Sequence, residues 1–114
     1  MTKVINQVIE KDYCLYNGDS VEVMKALPDL SIHYSIFSPP FASLYTYSNS
    51  NRDLGNSRTR TEFYKHFRFI VKELYRVMLR GRLVSVHCMD IPAMKERDGY
   101  IGLIDFPGEL IRMF

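Results

Sequence analysis

The chain has no tryptophan and only two cysteines, Cys14 and Cys88, which lie far apart in sequence. Each falls inside an apolar stretch, where a small thiol is expected to be buried and unpaired, so a disulfide framework is not indicated. Zinc-ligand spacing is also missing. His87 and Asp90 flank Cys88, but this grouping matches no common zinc pattern and no metal is expected. His33 and His66 suggest only strand or surface positions. No apolar run approaches the roughly 20 residues that span a bilayer. The amino terminus mixes Lys3, Glu10, Lys11 and Asp12 with short apolar pairs and has no secretory apolar core, which makes the cytoplasm the expected location. There is no internal repeat and no low-complexity tract.

A length of 114 residues allows one small domain with one layered core. Its net charge of +2 hides an asymmetry. Residues 42–82 carry nine Lys or Arg against the three acids Asp53, Glu62 and Glu73, so this segment stands at +6 and the rest of the chain at −4. A basic block of this kind is ordinarily a solvated face, but it also fits a polyanion such as DNA. Arg52, Arg58 and Arg60 are the candidate phosphate contacts.

The pattern along the chain is strand, helix, strand, helix, strand. Residues 13–16 read as a short strand, with Asn17-Gly18 as a turn after it. Ser20 is placed to cap a helix carrying Val21, Val23, Met24 and Leu27, which ends at Pro28. Residues 31–37 form the next strand, with Ile32, Tyr34, Ile36 and Phe37 suited to a sheet. Residues 42–60 are rich in Ser, Asn, Thr and Arg and read as a long polar loop, a feature that in compact domains is functional or disordered. Thr59 and Glu62 have capping-box spacing, and Phe63, Phe67, Ile70, Val71, Leu74 and Val77 then mark one face of a helix through about Leu79. Gly81 is expected to end it, and residues 83–88 give another buried strand. This rhythm is that of a parallel sheet with crossover helices, so the fold class is α/β with a Rossmann-like arrangement.

Ser38, Pro39 and Pro40 follow the second strand directly, and ligands in open α/β sheets bind at the carboxyl ends of strands. Ser38 and Pro39 each precede a proline, which drives them toward extended backbone, while the two rings remove local donors. A stiff loop with exposed acceptors results. With Phe41 the run Ile36-Phe37-Ser38-Pro39-Pro40-Phe41 resembles motif IV of the DNA amino-methyltransferases: Ser, Asp or Asn, then Pro-Pro, then an aromatic residue. Upstream, Leu15-Tyr16-Asn17-Gly18-Asp19-Ser20 is similar to the Gly-Asp segment that opens many of these enzymes. Downstream, Glu73-Leu74-Tyr75-Arg76-Val77-Met78-Leu79, leading through Gly81 into Leu83-Val84-Ser85-Val86, looks like their helix-to-strand segment, with Leu79-Arg80-Gly81 in place of the usual lysine-proline-glycine.

The resemblance implies a Rossmann-like, S-adenosylmethionine-dependent methyltransferase domain acting on an exocyclic base amine of double-stranded DNA. Such an amine is a poor nucleophile because its lone pair is delocalised into the ring, so two acceptors must hold its hydrogens. The Ser38 hydroxyl and the Pro39 carbonyl are those acceptors if the motif carries over, with Pro40 stiffening the loop and Phe41 stacking on a base flipped from the duplex. Asp19 would face the adenosine side of the cofactor. Ser38 with Phe41 favours cytosine N4 over adenine N6. His87 before Cys88, where the cytosine-C5 enzymes have proline, counts against that class.

The family's glycine-rich Phe-x-Gly-x-Gly cofactor loop has no counterpart, since Gly99 and Gly102 have the wrong spacing and no strand is evident before them. This order fits the subgroup in which that loop comes last. Pro107 suits a first helical turn and Phe106, Leu110, Ile111 and Phe114 share a face, but the sequence stops without a cap. The expectation is a partial catalytic domain, residues 1–114, that binds the cofactor weakly alone, methylates little and tends to self-associate. The rival readings are a non-catalytic DNA-binding remnant of such an enzyme and an α/β interaction domain with no nucleic-acid role.

Overall fold

A computed structural model describes residues 4–40 and 60–114 of the chain. In order they form β1 (Val4–Ile9), β2 (Cys14–Gly18), α1 (Ser20–Lys25), β3 (Ile32–Phe37), α2 (Arg60–Val77), β4 (Met78–Val86), β5 (Ile91–Ala93), α3 (Lys95–Asp98), β6 (Gly102–Ile104) and α4 (Phe106–Met113). The class is mixed α and β, with three two-stranded sheets among the described residues. Phe41, Arg52, Arg58, Thr59 and most of the polar loop at 42–60 lie outside the described residues.

The amphipathic pattern of α2 organises the molecule. Phe63, Phe67, Leu74 and Val77 are buried along it, while Lys65, Arg68 and Lys72 are exposed on its other side. Phe63 and Phe67 stack at 5.6 Å between ring centroids, and Phe106 of α4 meets Phe63 edge-on at 5.4 Å. Ile91, Ala93, Ile104 and Leu110 complete this core, with Phe37, Val86 and Met113 partly buried against it. Fully burying a phenylalanine contributes about 1.5–3 kcal/mol, so the three phenylalanines with no exposed surface dominate the cluster. Phe114 also joins it, its ring centroid 6.1 Å from that of Phe67. The apolar face of α4 is thus covered within the chain at Phe106 and Leu110, while Ile111 and Phe114 remain 74% and 54% exposed.

The crossover read from the sequence is present: β3 and β4 are parallel neighbours joined through α2. Gly81, however, does not end the helix. The helix passes into β4 at Met78, which pairs with Ile32, and the next pair is Tyr34 with Leu83. Two steps along β3 thus match five along β4, and Gly81, at φ 75°, takes up the excess in a backbone conformation that other residues adopt only with strain. The last carbonyls of α2 are satisfied by the chain entering β3, since Arg76 O accepts from Leu30 N at 3.0 Å and Val77 O from Ser31 N at 2.8 Å. On the sheet face away from α2, Tyr34 Oη and Ser85 Oγ hydrogen-bond at 2.6 Å, and Ile36 and Leu83 are exposed.

The first strand of the sequence reading pairs differently from expectation. β2 forms an antiparallel hairpin with β1, an element the sequence reading left out, instead of joining a parallel sheet. The reversal falls at residues 10–13, where Glu10 N donates to Tyr13 O at 2.9 Å, while Asn17 and Gly18 lie within the ladder. Every residue of β2 is exposed, so Cys14 is not buried; Cys88 is half-buried, and both are free thiols. Removal of Cys88 from water pushes its thiol pKa up, and the Asp90 charge adds to this. Short β5 and β6 pair antiparallel around α3, so a strand does precede Gly99 and Gly102; Gly99 itself closes α3 at φ 81°.

Candidate active site

Parallel pairing puts the carboxyl ends of β3 and β4 at the same edge. Phe37 pairs with Val86, and His87 N extends the ladder by donating to Phe37 O at 2.9 Å. The residue after each strand is thereby held beside the other. Ser38 Oγ lies 3.2 Å from His87 Nδ1 and donates to His87 O, also at 3.2 Å. Both residues are exposed, whereas Pro39 is buried and Pro40 half-buried, so the prolines seat the turn and the hydroxyl stays accessible. Sequence reading considered His87 as a metal ligand and as the residue before Cys88, and gave it no place beside Ser38. The signal for its place was the coincident ends of the two strands, which becomes visible once they are laid parallel in register.

Asp19 sits between β2 and α1 and is the helix cap, displacing Ser20, which becomes the first helical residue. Its Oδ1 accepts from Val21 N at 2.9 Å and from Glu22 N at 3.2 Å. A carboxylate suits this place because it satisfies donors that the first turn leaves open and complements the helix dipole.

The basic residues divide into two groups. Arg60 begins α2, and its Nη1 donates to Asp98 Oδ1 at 3.0 Å. Arg76 is taken up in structure: Nη2 donates to Met24 O at 2.7 Å, and Nη1 to Leu27 O at 2.9 Å and to Asp29 Oδ1 at 2.7 Å. Nε and Nη2 both reach Glu73 Oε2, so this one side chain fastens the end of α1 to α2. Lys65, Arg68, Lys72, Arg80 and Arg82 remain exposed. Among the described residues no group of three or more His, Cys, Asp or Glu side chains is placed to hold a metal ion. Nor is any described helix long and apolar enough to cross a membrane.

In comparison with known proteins, the chain is 33% identical over 67 residues to the Type II methyltransferase M.SfiI of Streptomyces fimbriatus. The matched stretch is 59% of this chain and 16% of that enzyme, so the chain spans a small part of the length of the relative it matches. No protein-family model matches the chain, and no solved structure matches it. The likeness supports a sequence relationship to a methyltransferase.

Proposed function

We propose that this chain carries the catalytic motif of a DNA methyltransferase that transfers a methyl group from S-adenosylmethionine to an exocyclic base amine, cytosine N4 in preference to adenine N6. One observation carries the reading: the Ser38-Pro39-Pro40 turn stands at the carboxyl ends of a parallel strand pair, with an accessible hydroxyl and a buried proline behind it. In an open α/β sheet this edge is where ligands bind. The likeness to M.SfiI, a Type II methyltransferase, supports methyl transfer. The β3–α2–β4 crossover is the unit from which a Rossmann-like methyltransferase domain is built.

In this reading Ser38 Oγ accepts one hydrogen of the amine and the Pro39 carbonyl accepts the other, which localises the nitrogen lone pair. Phe41 stacks on the flipped base. The exposed stripe of Lys65, Arg68 and Lys72 on α2, with Arg52, Arg58 and Arg60 before it, supports contact with the phosphates of duplex DNA.

S-Adenosylmethionine supplies an electrophilic methyl group when bound. The described residues do not by themselves form its cradle: Asp19 caps α1, and the positive-φ glycines Gly81 and Gly99 lie in β4 and after α3, not at a strand-to-helix turn. The test is Ser38→Ala in the full-length gene product, assayed with labelled cofactor on duplex DNA. Loss of one acceptor should lower the rate on the order of 10²- to 10³-fold. Full activity in the variant would remove Ser38 from the chemistry.

A further inference from the structure

From the two contacts at Ser38 we infer that His87 is a positioning residue that fixes the Ser38 hydroxyl as a hydrogen-bond acceptor toward the substrate, an inference that rests on the methyltransferase reading. A hydroxyl has one hydrogen and two lone pairs. Ser38 Oγ meets two groups of the same residue, the imidazole Nδ1 and the backbone carbonyl, each at 3.2 Å. The imidazole tautomer allows two arrangements, of which the first satisfies both contacts. Either the hydroxyl hydrogen goes to His87 O while Nδ1–H donates to Oγ, or the hydrogen goes to Nδ1. In both, the only hydrogen of Ser38 is directed into the protein, and what the oxygen offers at the open edge is a lone pair.

This polarity matches the substrate. An exocyclic amine presents hydrogens, and a serine free to rotate spends part of its time presenting a hydrogen of its own, which opposes the amine. The backbone half of the restraint is built into the sheet, because His87 N is held on Phe37 O at 2.9 Å in continuation of the Phe37–Val86 pair. The imidazole adds the second half and ties Ser38 to a particular rotamer. The contacts of His87 are with Ser38, so it acts on turnover through Ser38.

Two variants separate this role from packing. His87→Phe keeps a ring and removes the nitrogen; His87→Asn keeps a polar atom near the place of Nδ1. The full-length gene product with His87→Phe should show kcat reduced about 10- to 100-fold, the range for losing a partner that orients a functional group, with KM for DNA little changed. His87→Asn should recover most of that loss. A second readout needs no turnover: the ¹⁵N resonance of His87 Nδ1 should move when Ser38 is replaced by alanine. Unchanged kcat in His87→Phe alongside an impaired Ser38→Ala overturns the role of His87 and leaves the methyltransferase reading standing. Equal activity, or equal inactivity, of wild type and Ser38→Ala overturns that reading and the positioning role of His87 together. An Nδ1 resonance indifferent to Ser38→Ala overturns the pairing itself.

Discussion

Arg60, the first residue of α2, donates through Nη1 to Asp98 Oδ1 at 3.0 Å and so joins the head of the long helix to the end of α3. Asp98 is nearly enclosed, its side chain 5% exposed, and its other oxygen accepts from Met94 N at 2.8 Å and from Arg97 Nε at 3.0 Å. The backbone donor first, and then the two guanidinium groups against the opposing effect of burial, lower its pKa from 3.8 to about 2. A carboxyl held lower in the folded state contributes stability that is fully present above its unfolded value and is lost as pH falls through the folded one. Urea unfolding followed from pH 7 down should therefore show a decline between about pH 4 and pH 2. Asp98→Asn should be less stable at neutral pH and flatter across that interval. An equal decline in both proteins would assign it to other carboxylates.

Asp19 offers a test of capping against cofactor contact. Loss of its carboxylate in Asp19→Ala should cost roughly 1 kcal/mol in urea unfolding, and Asp19→Asn should retain most of the stability because its oxygen still accepts from the first turn. Ser20→Ala should be nearly neutral, since Ser20 is inside the helix. If Asp19→Asn keeps the fold but weakens S-adenosylmethionine binding in the full-length protein, the same carboxylate also serves the cofactor.

The aromatic core predicts a steep contrast between two rings on one helix. Phe63 has no exposed surface and contacts Tyr64, Phe67 and Phe106, whereas Tyr75 is 87% exposed. Phe63→Ala should destabilise by about 3–5 kcal/mol, a large part of a small domain's stability, so Phe63→Leu provides the measurable intermediate. Tyr75→Ala should stay within about 0.5 kcal/mol of wild type in thermal unfolding. Comparable losses at both positions would mean that Tyr75 is covered in solution.

DNA binding is best tested away from Arg60, whose reversal would also set a negative charge against Asp98. Charge reversal at Arg58 and Arg68 should weaken binding and flatten its dependence on salt, because each lost phosphate contact lowers the slope by about 1. Arg76→Glu should instead act on stability, since its guanidinium holds the end of α1. A slope unaffected by the Arg58 and Arg68 changes would make the basic stripe a solvated surface.

What the sequence determined by itself was whatever depends on neighbours a few residues away. The 3.6-residue spacing of Phe63, Phe67, Leu74 and Val77 specifies the buried face of α2, the apolar run before Ser38 specifies β3, and Pro107 beside Phe106 marks the start of α4. The stiffness of the Ser38-Pro39-Pro40 turn is local too, because proline rings act on their own and the preceding residue. Tertiary structure decided the pairings. The antiparallel partner of β2, the place of Gly81 inside β4, the capture of Arg76 by the end of α1 and the approach of His87 to Ser38 all join groups that local spacing does not relate. Each depends on which strand finds which edge and in what register. Register follows from burial and hydrogen-bond satisfaction over the whole chain, so it appears only when the chain is folded.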